Sequence, residues 1–328
     1  MKHFILTFFL LLYFVGFSQK RYTKITKLMG SRYDITVVEK DSIKAVKDIQ
    51  IAIDEIKRIE NIISSWKPNS QTSKINQNAG IKPVRVSKEL FDLIKRSKAI
   101  SKLTDGAFDI SYASMDKIWK FDGSMTDFPS EEKIKKSVEK VGYQNIILNE
   151  KDTTVYLKYK GMKIGFGAIG KGYSADKAKT LLQKKGVIAG IINASGDMNT
   201  WGKQPDGTDW KVAITNPFNK NKAFALLPLK QGAVVTSGNY EKYVTFNGKR
   251  YTHIINPKTG YPSSGIVSAT VFAPKAELAD ALATTVFVMG KEVGLNLINQ
   301  LPNIACIIID DTGKISTSKH IKIENYVP

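Results

Sequence analysis

The chain has 328 residues, 42% hydrophobic and 10% aromatic, with 24 Gly and 11 Pro, a composition that excludes disordered, collagenous and low-complexity classes and permits a sizeable core. Its net charge of +19 comes from 49 Lys and Arg against 30 Asp and Glu. The cations are mostly Lys scattered among acids, as in KDSIKAVKDIQ, with no long basic run and no zinc-finger, helix-turn-helix or RNP-like signature; the charge therefore reads as a solvated surface rather than a nucleic-acid site.

Residues 1–18, MKHFILTFFLLLYFVGFS, place Lys2 before an apolar run from Phe4 to Val15 and end in the small residues Gly16 and Ser18. That is the pattern of a secretory signal peptide, too short to span a bilayer. The expected location is exported, periplasmic or on the outer face of the cell membrane, and with no Cys after the run no lipid anchor is expected there. Cys306 is the single cysteine, which leaves no internal disulfide.

Next, RYTKITKLMGSRYDITVVEK alternates apolar and polar residues on both sides of Gly30 and predicts two strands. From Asp41 to Ser64, Val46, Ile49, Ile53, Ile56, Ile59 and Ile63 recur at spacings of three and four, predicting an amphipathic helix that packs on a sheet. A polar loop is expected from Trp66 to Gly80, then a helix capped by Ser87 that stops near Gly106, and another between Ser130 and Lys140. A strand from Thr154 to Lys158, a Gly-rich loop, a helix from Ser174 to Lys185 and a strand from Val187 to Asn193 read as an α/β unit. YEKYVTF and KRYTHII flank Asn247-Gly248, whose tolerance of positive φ predicts a hairpin with His253 on the return strand. A strand from Val267 to Phe272, helices over Glu277 to Met289 and Lys291 to Gln300, and a strand from Asn303 to Ile309 follow. No repeat or linker divides residues 19–328, so the expectation is one intertwined α+β domain with mixed sheets flanked by helices.

Several segments carry chemistry. Gly165-Phe-Gly-Ala-Ile-Gly-Lys-Gly172 contains GxxxxGK, but Gly172 stands where a P-loop needs Ser or Thr to hold Mg²⁺. Glycines that admit backbone N–H groups, a helix start and Lys171 still suit an anion; a tight strand-to-helix turn is the other reading. Asp280 and Thr284 lie four apart in ADALATT, hence on one helix face, where two oxygens suit a hard cation or form an ordinary structural pair. His253, one of three histidines, precedes a Pro and Gly turn in HIINPKTGYP. Asn193-Ala-Ser-Gly-Asp197 ends a β-branched strand in small residues and a carboxylate, as either a strand end opening onto a ligand or a simple turn. Trp119, Trp201 and Trp210 read as core or rim residues.

In chain order, Met29-Gly-Ser31, SSWKPNSQTSKIN, TDGAFDIS with IWKF, FGAIGKGYSADKA, NASGD, TSGNYEKY, HIINPKTGYP and ADALATTVFVMG resemble the FAD:protein FMN transferase family, also called the ApbE family, over nearly the whole mature chain. The resemblance implies that family's T-fold-like architecture, and Mg²⁺-dependent cleavage of FAD with attachment of FMN to a Ser or Thr of a partner. That partner is often a flavoprotein subunit of a membrane redox complex with a D-x-x-[ST]-G-A-[ST]-like motif. The resemblance also implies that Ala168, through its carbonyl, Asp280 and Thr284 bind Mg²⁺, and that Met29, Trp66, Ala107, Phe108, Asp109, Lys171 and Ile254 line the FAD site. His253, Asp109 and Asp197 are the candidates for positioning or deprotonating the acceptor hydroxyl, and the sequence does not choose among them. Three positions depart from the family: Gly165 where Asp is frequent, Ser195 in place of a second Gly, and Asn256 in place of Asp. Hydrolysis of FAD to FMN and AMP, and FAD binding without chemistry, are the alternatives; a homodimer is compatible with either.

Overall fold

Strand β1 (Lys20–Leu28) turns back into β2 (Ser31–Glu39) through Met29 and Gly30, whose φ angles of 50° and 74° give the doubly left-handed turn that matches strand twist. The computed structural model describes residues 19–229, 232–239, 243–246, 249–319 and 321; the expected leader and the Asn247-Gly248 turn lie outside them. Helix α1 (Ser42–Ile63) starts at Asp41, whose carboxylate accepts from the Ile43 N–H. It buries Ala45, Ile49, Ala52, Ile53, Ile56, Ile59 and Ile63. Val46, expected in that stripe, is 64% exposed, because the buried face centres on Ala45, Ile49, Ile56 and Ile63 and Val46 falls at its edge.

The expected loop after Trp66 contains α2 (Gln71–Gln77), capped by Ser70. Then come β3 (Val84–Arg85), α3 (Lys88–Leu103, capped by Ser87), a 3₁₀ turn over Ile110–Ser114, α4 (Glu131–Ser137), β4 (Ile146–Asn149) and β5 (Thr154–Leu157). Helix α5 (Gly170–Lys184) begins before the expected Ser174, which puts Lys171 in its first turn. The order continues with β6 (Gly190–Ala194), β7 (Asp197–Trp201), β8 (Trp210–Asn216), β9 (Asn219–Leu229), β10 (Gly232–Gly238), β11 (Tyr243–Phe246), β12 (Lys249–Thr252), β13 (Ile266–Ala273), α6 (Ala276–Met289), α7 (Lys291–Asn299), β14 (Ala305–Asp310) and β15 (Ile315–Thr317).

The main sheet runs β1-β2-β6-β7-β10-β13-β14-β15, each neighbouring pair antiparallel. A second sheet has the order β3-β5-β4. The class is α+β as expected, but the described strand pairs are all antiparallel rather than mixed, and the expected α/β unit is not one: β5 belongs to the small sheet and β6 to the large one, with α5 crossing between them. Strand β11 pairs with β12, Phe246 opposite Lys249, so the hairpin forms as predicted; His253 stands one residue past the return strand.

One hydrophobic core lies between the main sheet and α1, α5 and α6, with Tyr33, Ile35, Ile56, Ala178, Leu282 and Phe287 fully buried in it. A second joins α3, the small sheet and the ends of the same helices, with Ile59, Leu90, Ile94, Leu157 and Ala281. Each fully buried Ile or Leu contributes roughly 1.5–3 kcal/mol, so the shared helices are fixed from both sides. On the opposite face of the large sheet, Val212 and Ile214 of β8 pack on Val234 and Ile309.

Candidate active site

A cavity of 540 Å³ opens where the starts of α5 and β7 meet α6 and the end of β10. Every candidate residue except Met29 and Trp66 lines it: Ala107, Phe108, Asp109, Ala168, Lys171, Asp197, His253, Ile254, Asp280 and Thr284. A neighbouring cavity of 590 Å³ includes Trp66 and shares Tyr112, Gly167, His253 and Ile255 with the first. Trp66 is 78% exposed, with Lys117 Nζ 4.9 Å from its ring centre. Met29 lines neither cavity. Its Sδ lies 3.2 Å from the Tyr33 hydroxyl, which also stands 3.0 Å from Ser174 Oγ.

At the centre of the first cavity Lys171 pairs with Asp197. One helical residue on, the Gly172 N–H donates to Asp280 Oδ2 at 3.1 Å. Glycine is required there: a Cβ would stand 2.5 Å from the Ala276 carbonyl carbon and 2.9 Å from Asp280 Cβ. Asp197 and Asp280 are 1% and 3% exposed, and two buried carboxylates face one ammonium. Burial, reinforced by Asp280, pushes the Asp197 carboxyl up to about 7 against the pull of Lys171. Burial likewise raises Asp280, opposed by Lys171 and the Gly172 N–H. Burial works against the Lys171 ammonium, but Asp280 and Asp197 more than offset it and hold it raised and charged.

Asp197 reaches this position through a turn, not an open strand end. Ser195 and Gly196, at φ 54° and 100°, form a two-residue hairpin that pairs Ala194 with Asp197. Ser195, where the resemblance implies a second glycine, thus stands in left-handed backbone, and its Oγ donates to the Arg32 carbonyl at 3.0 Å.

The three candidates for handling the acceptor hydroxyl now differ. Asp109 accepts from Ser111 N–H, Ser111 Oγ and Tyr143 N–H, each at 2.7 Å, so its carboxylate is committed to holding its own loop. Asp197 is committed to Lys171. His253 is exposed and lines both cavities, at their junction. Asn256 Oδ1 accepts from the Lys258 N–H at 2.9 Å, a turn contact that Asn makes as well as Asp. At Gly165 the backbone presses on the 3₁₀ turn, where a Cβ would stand 3.1 Å from Ala113 Cβ. Trp119, Trp201 and Trp210 are buried, and their indole N–H groups donate to the carbonyls of Gly260, Val187 and Trp201.

Sequence reasoning passed over Tyr112, Thr236 and Ser237, which also line the first cavity. Tyr112 had a signal, since its hydroxyl occupies the space a Cβ at Gly167 would need and its ring follows TDGAFDIS. Ser237 Oγ lies 3.4 Å from Thr284 Oγ1, a proximity set by sheet-to-helix packing that no local pattern encodes.

Among the described residues no three His, Cys, Asp or Glu side chains group closely enough to hold a metal. The donors on offer are the Asp280 carboxylate, Thr284 Oγ1 and the backbone at Ala168, beside the buried Lys171–Asp197 pair. One carboxylate with neutral oxygens, completed by water and phosphate, fits a hard cation such as Mg²⁺.

This geometry defines an α+β protein with a cleft in which one lysine and two buried carboxyls converge. Residues 29–308 match the model of the ApbE family. The sequence is 32% identical to the FAD:protein FMN transferase of Klebsiella pneumoniae (strain 342), over 90% of this chain and 92% of that one. It is 29% identical to the FAD:protein FMN transferase of Escherichia coli (strain K12), over 86% and 85%. Among solved structures, the ApbE protein of Thermotoga maritima aligns with a TM-score of 0.83 at 31% identity, over 92% of this chain and 97% of that one. The flavin transferase ApbE from Vibrio cholerae gives 0.80 at 25% identity, over 92% and 98%. The chain belongs to the ApbE family.

Proposed function

We propose that the chain is an FAD:protein FMN transferase, which moves FMN from FAD to a Ser or Thr hydroxyl of a partner flavoprotein and releases AMP. The observation that carries this reading is the cavity in which Lys171, Asp197 and Asp280 converge, joined at His253 to a second cavity that holds Trp66. Two joined cavities, one with a charged cluster at its centre, suit a dinucleotide with two flat heterocycles and a diphosphate.

Mg²⁺ held by Asp280, Thr284 and the Ala168 carbonyl would supply Lewis-acid neutralisation of the diphosphate. Lys171 adds a fixed positive charge from the first turn of α5, where the helix end adds more. Asp197 orients that ammonium. His253 accepts the proton of the acceptor hydroxyl as its oxygen attacks the FMN-side phosphorus in line. The new O–P bond forms, the bond to the bridging oxygen breaks, and AMP leaves with that oxygen.

The leader-like residues 1–18 support export, which places the acceptor on the outer side of the cell membrane, in a flavin-carrying subunit of a redox complex. Among the described residues no helix is long and apolar enough to cross a membrane.

The test incubates the protein with FAD, Mg²⁺ and a peptide carrying D-x-x-[ST]-G-A-[ST], with Asp280→Ala as control, and reads peptide mass and nucleotide products. Mg²⁺-dependent gain of one FMN, absent in the control, is the expected result. Free FMN and AMP with an unmodified peptide would replace transfer by hydrolysis, and intact FAD would leave a flavin-binding protein.

A further inference from the structure

Helix α6 carries Asp280 and Thr284, yet its own N-cap residue, Lys275, makes no side-chain capping bond. A helix start leaves N–H groups that need acceptors. Here they come from another helix: Asp176 of α5 accepts from the Ala276 N–H through Oδ1 and from the Glu277 N–H through Oδ2, both at 2.9 Å. Asn199 Nδ2 donates to Oδ1 of the same carboxylate. Asn199 Oδ1 in turn accepts from the buried Lys179 Nζ at 2.8 Å, and Lys179 also donates to the Thr200 carbonyl at 2.8 Å. The carboxylate is therefore itself held by β7 while it holds α6.

The same two helices touch one turn away, where the Gly172 N–H donates to Asp280 Oδ2. Gly172 meets Asp280 and Asp176 meets Ala276, so the helices run antiparallel with two rungs four residues apart on each. One residue of slip, about 1.5 Å along a helix axis, would break both rungs. We infer that Asp176 is a positioning residue that holds α6 in register on α5 and so sets Asp280 and Thr284 opposite Lys171. The inference rests on the proposed cation site.

Mn²⁺ binding, followed by electron paramagnetic resonance with FAD present, is measured first on the wild-type protein and then on Asp176→Ala and Asp176→Asn, each with a thermal melt. Wild-type protein is expected to bind. Asp176→Ala should bind about tenfold to hundredfold more weakly, as for other groups that orient a metal ligand. The Mg²⁺ concentration for half-maximal transfer should rise by a similar factor, with kcat at saturating Mg²⁺ kept. Asp176→Asn, which retains one acceptor oxygen, should fall between, and it decides alone if the Ala variant does not fold. Unchanged Mn²⁺ affinity in the variants, with or without a lower melting temperature, would overturn the inference and leave the proposed function standing. Failure of the wild-type protein to bind Mn²⁺ would overturn both.

Discussion

Lys171 sits between two buried carboxylates, and that placement makes it the residue whose loss has two separable effects. Lys171→Met should lower transfer by about 10²–10³, the scale for removing one preorganised charge from a transition state. Without ligands it should also destabilise the fold by about 3 kcal/mol, because two buried carboxyls lose the one cation they face. Urea denaturation of Lys171→Met and of Lys171→Met with Asp197→Asn checks this: the second change should recover much of the stability and none of the activity. Ser195 offers a test of opposite sign. Its left-handed φ of 54° costs a non-glycine residue about 1 kcal/mol. Ser195→Gly should therefore raise the urea midpoint, a gain of about 0.5 kcal/mol after loss of the bond to the Arg32 carbonyl. Single residues were legible where their chemistry is local. Lys171, Asp280, Thr284 and His253 stood out by motif, whereas the bond of Asp109 to the Tyr143 N–H depends on a loop 34 residues away. That partner leaves no trace in the sequence around Asp109.

At the scale of elements, α5 is the member to which the others are keyed. Gly172→Ala should push α6 away from it, costing about 1–3 kcal/mol of stability, and should abolish Mg²⁺-dependent transfer; a thermal melt and the peptide assay measure the two losses. Glu89 of α3 ties α1 and α5 together, accepting from Arg58 Nη1 at 2.7 Å, the Tyr173 hydroxyl at 2.8 Å and Lys177 Nζ at 3.1 Å. Arg58 foremost, with Tyr173 and Lys177, lowers its carboxyl from the ordinary 4.5 to about 2. A depressed carboxyl contributes stability above its unfolded pKa and loses it as pH falls toward its folded one. Glu89→Gln should therefore be less stable than wild type at pH 7, by about 1 kcal/mol once solvent screening of this half-exposed network is counted. The difference should shrink between pH 4.5 and 2, as urea midpoints at several pH values would show. Helices were the legible elements, since the isoleucine spacing of α1 and the Ser87 cap of α3 are written in neighbouring residues. The misread was the strand–helix–strand unit: β5 and β6 look alike locally, and only their partners put them in different sheets. Strand β8 was overlooked although Trp210, Val212 and Ile214 alternate with exposed residues at a strand's period.

Across the whole molecule, two cores share α1, α5 and α6, and the candidate site lies at the seam that α5 and α6 form with the tips of the large sheet. That arrangement explains how groups from residues 31 to 288 converge on one cavity without a contiguous motif. The class of the fold could be read from the alternation of element types, but sheet order could not, because antiparallel partners such as β2 and β6 are separated by about half the chain. The central claim is that this seam holds a hard cation against a dinucleotide diphosphate. Anomalous diffraction from crystals grown with Mn²⁺ and FAD tests it most directly. The account predicts a single peak in bonding contact with the Asp280 carboxylate, Thr284 Oγ1 and the Ala168 carbonyl, with the diphosphate between that peak and Lys171. A flavin bound with its diphosphate away from Lys171, or no metal at Asp280, would contradict it.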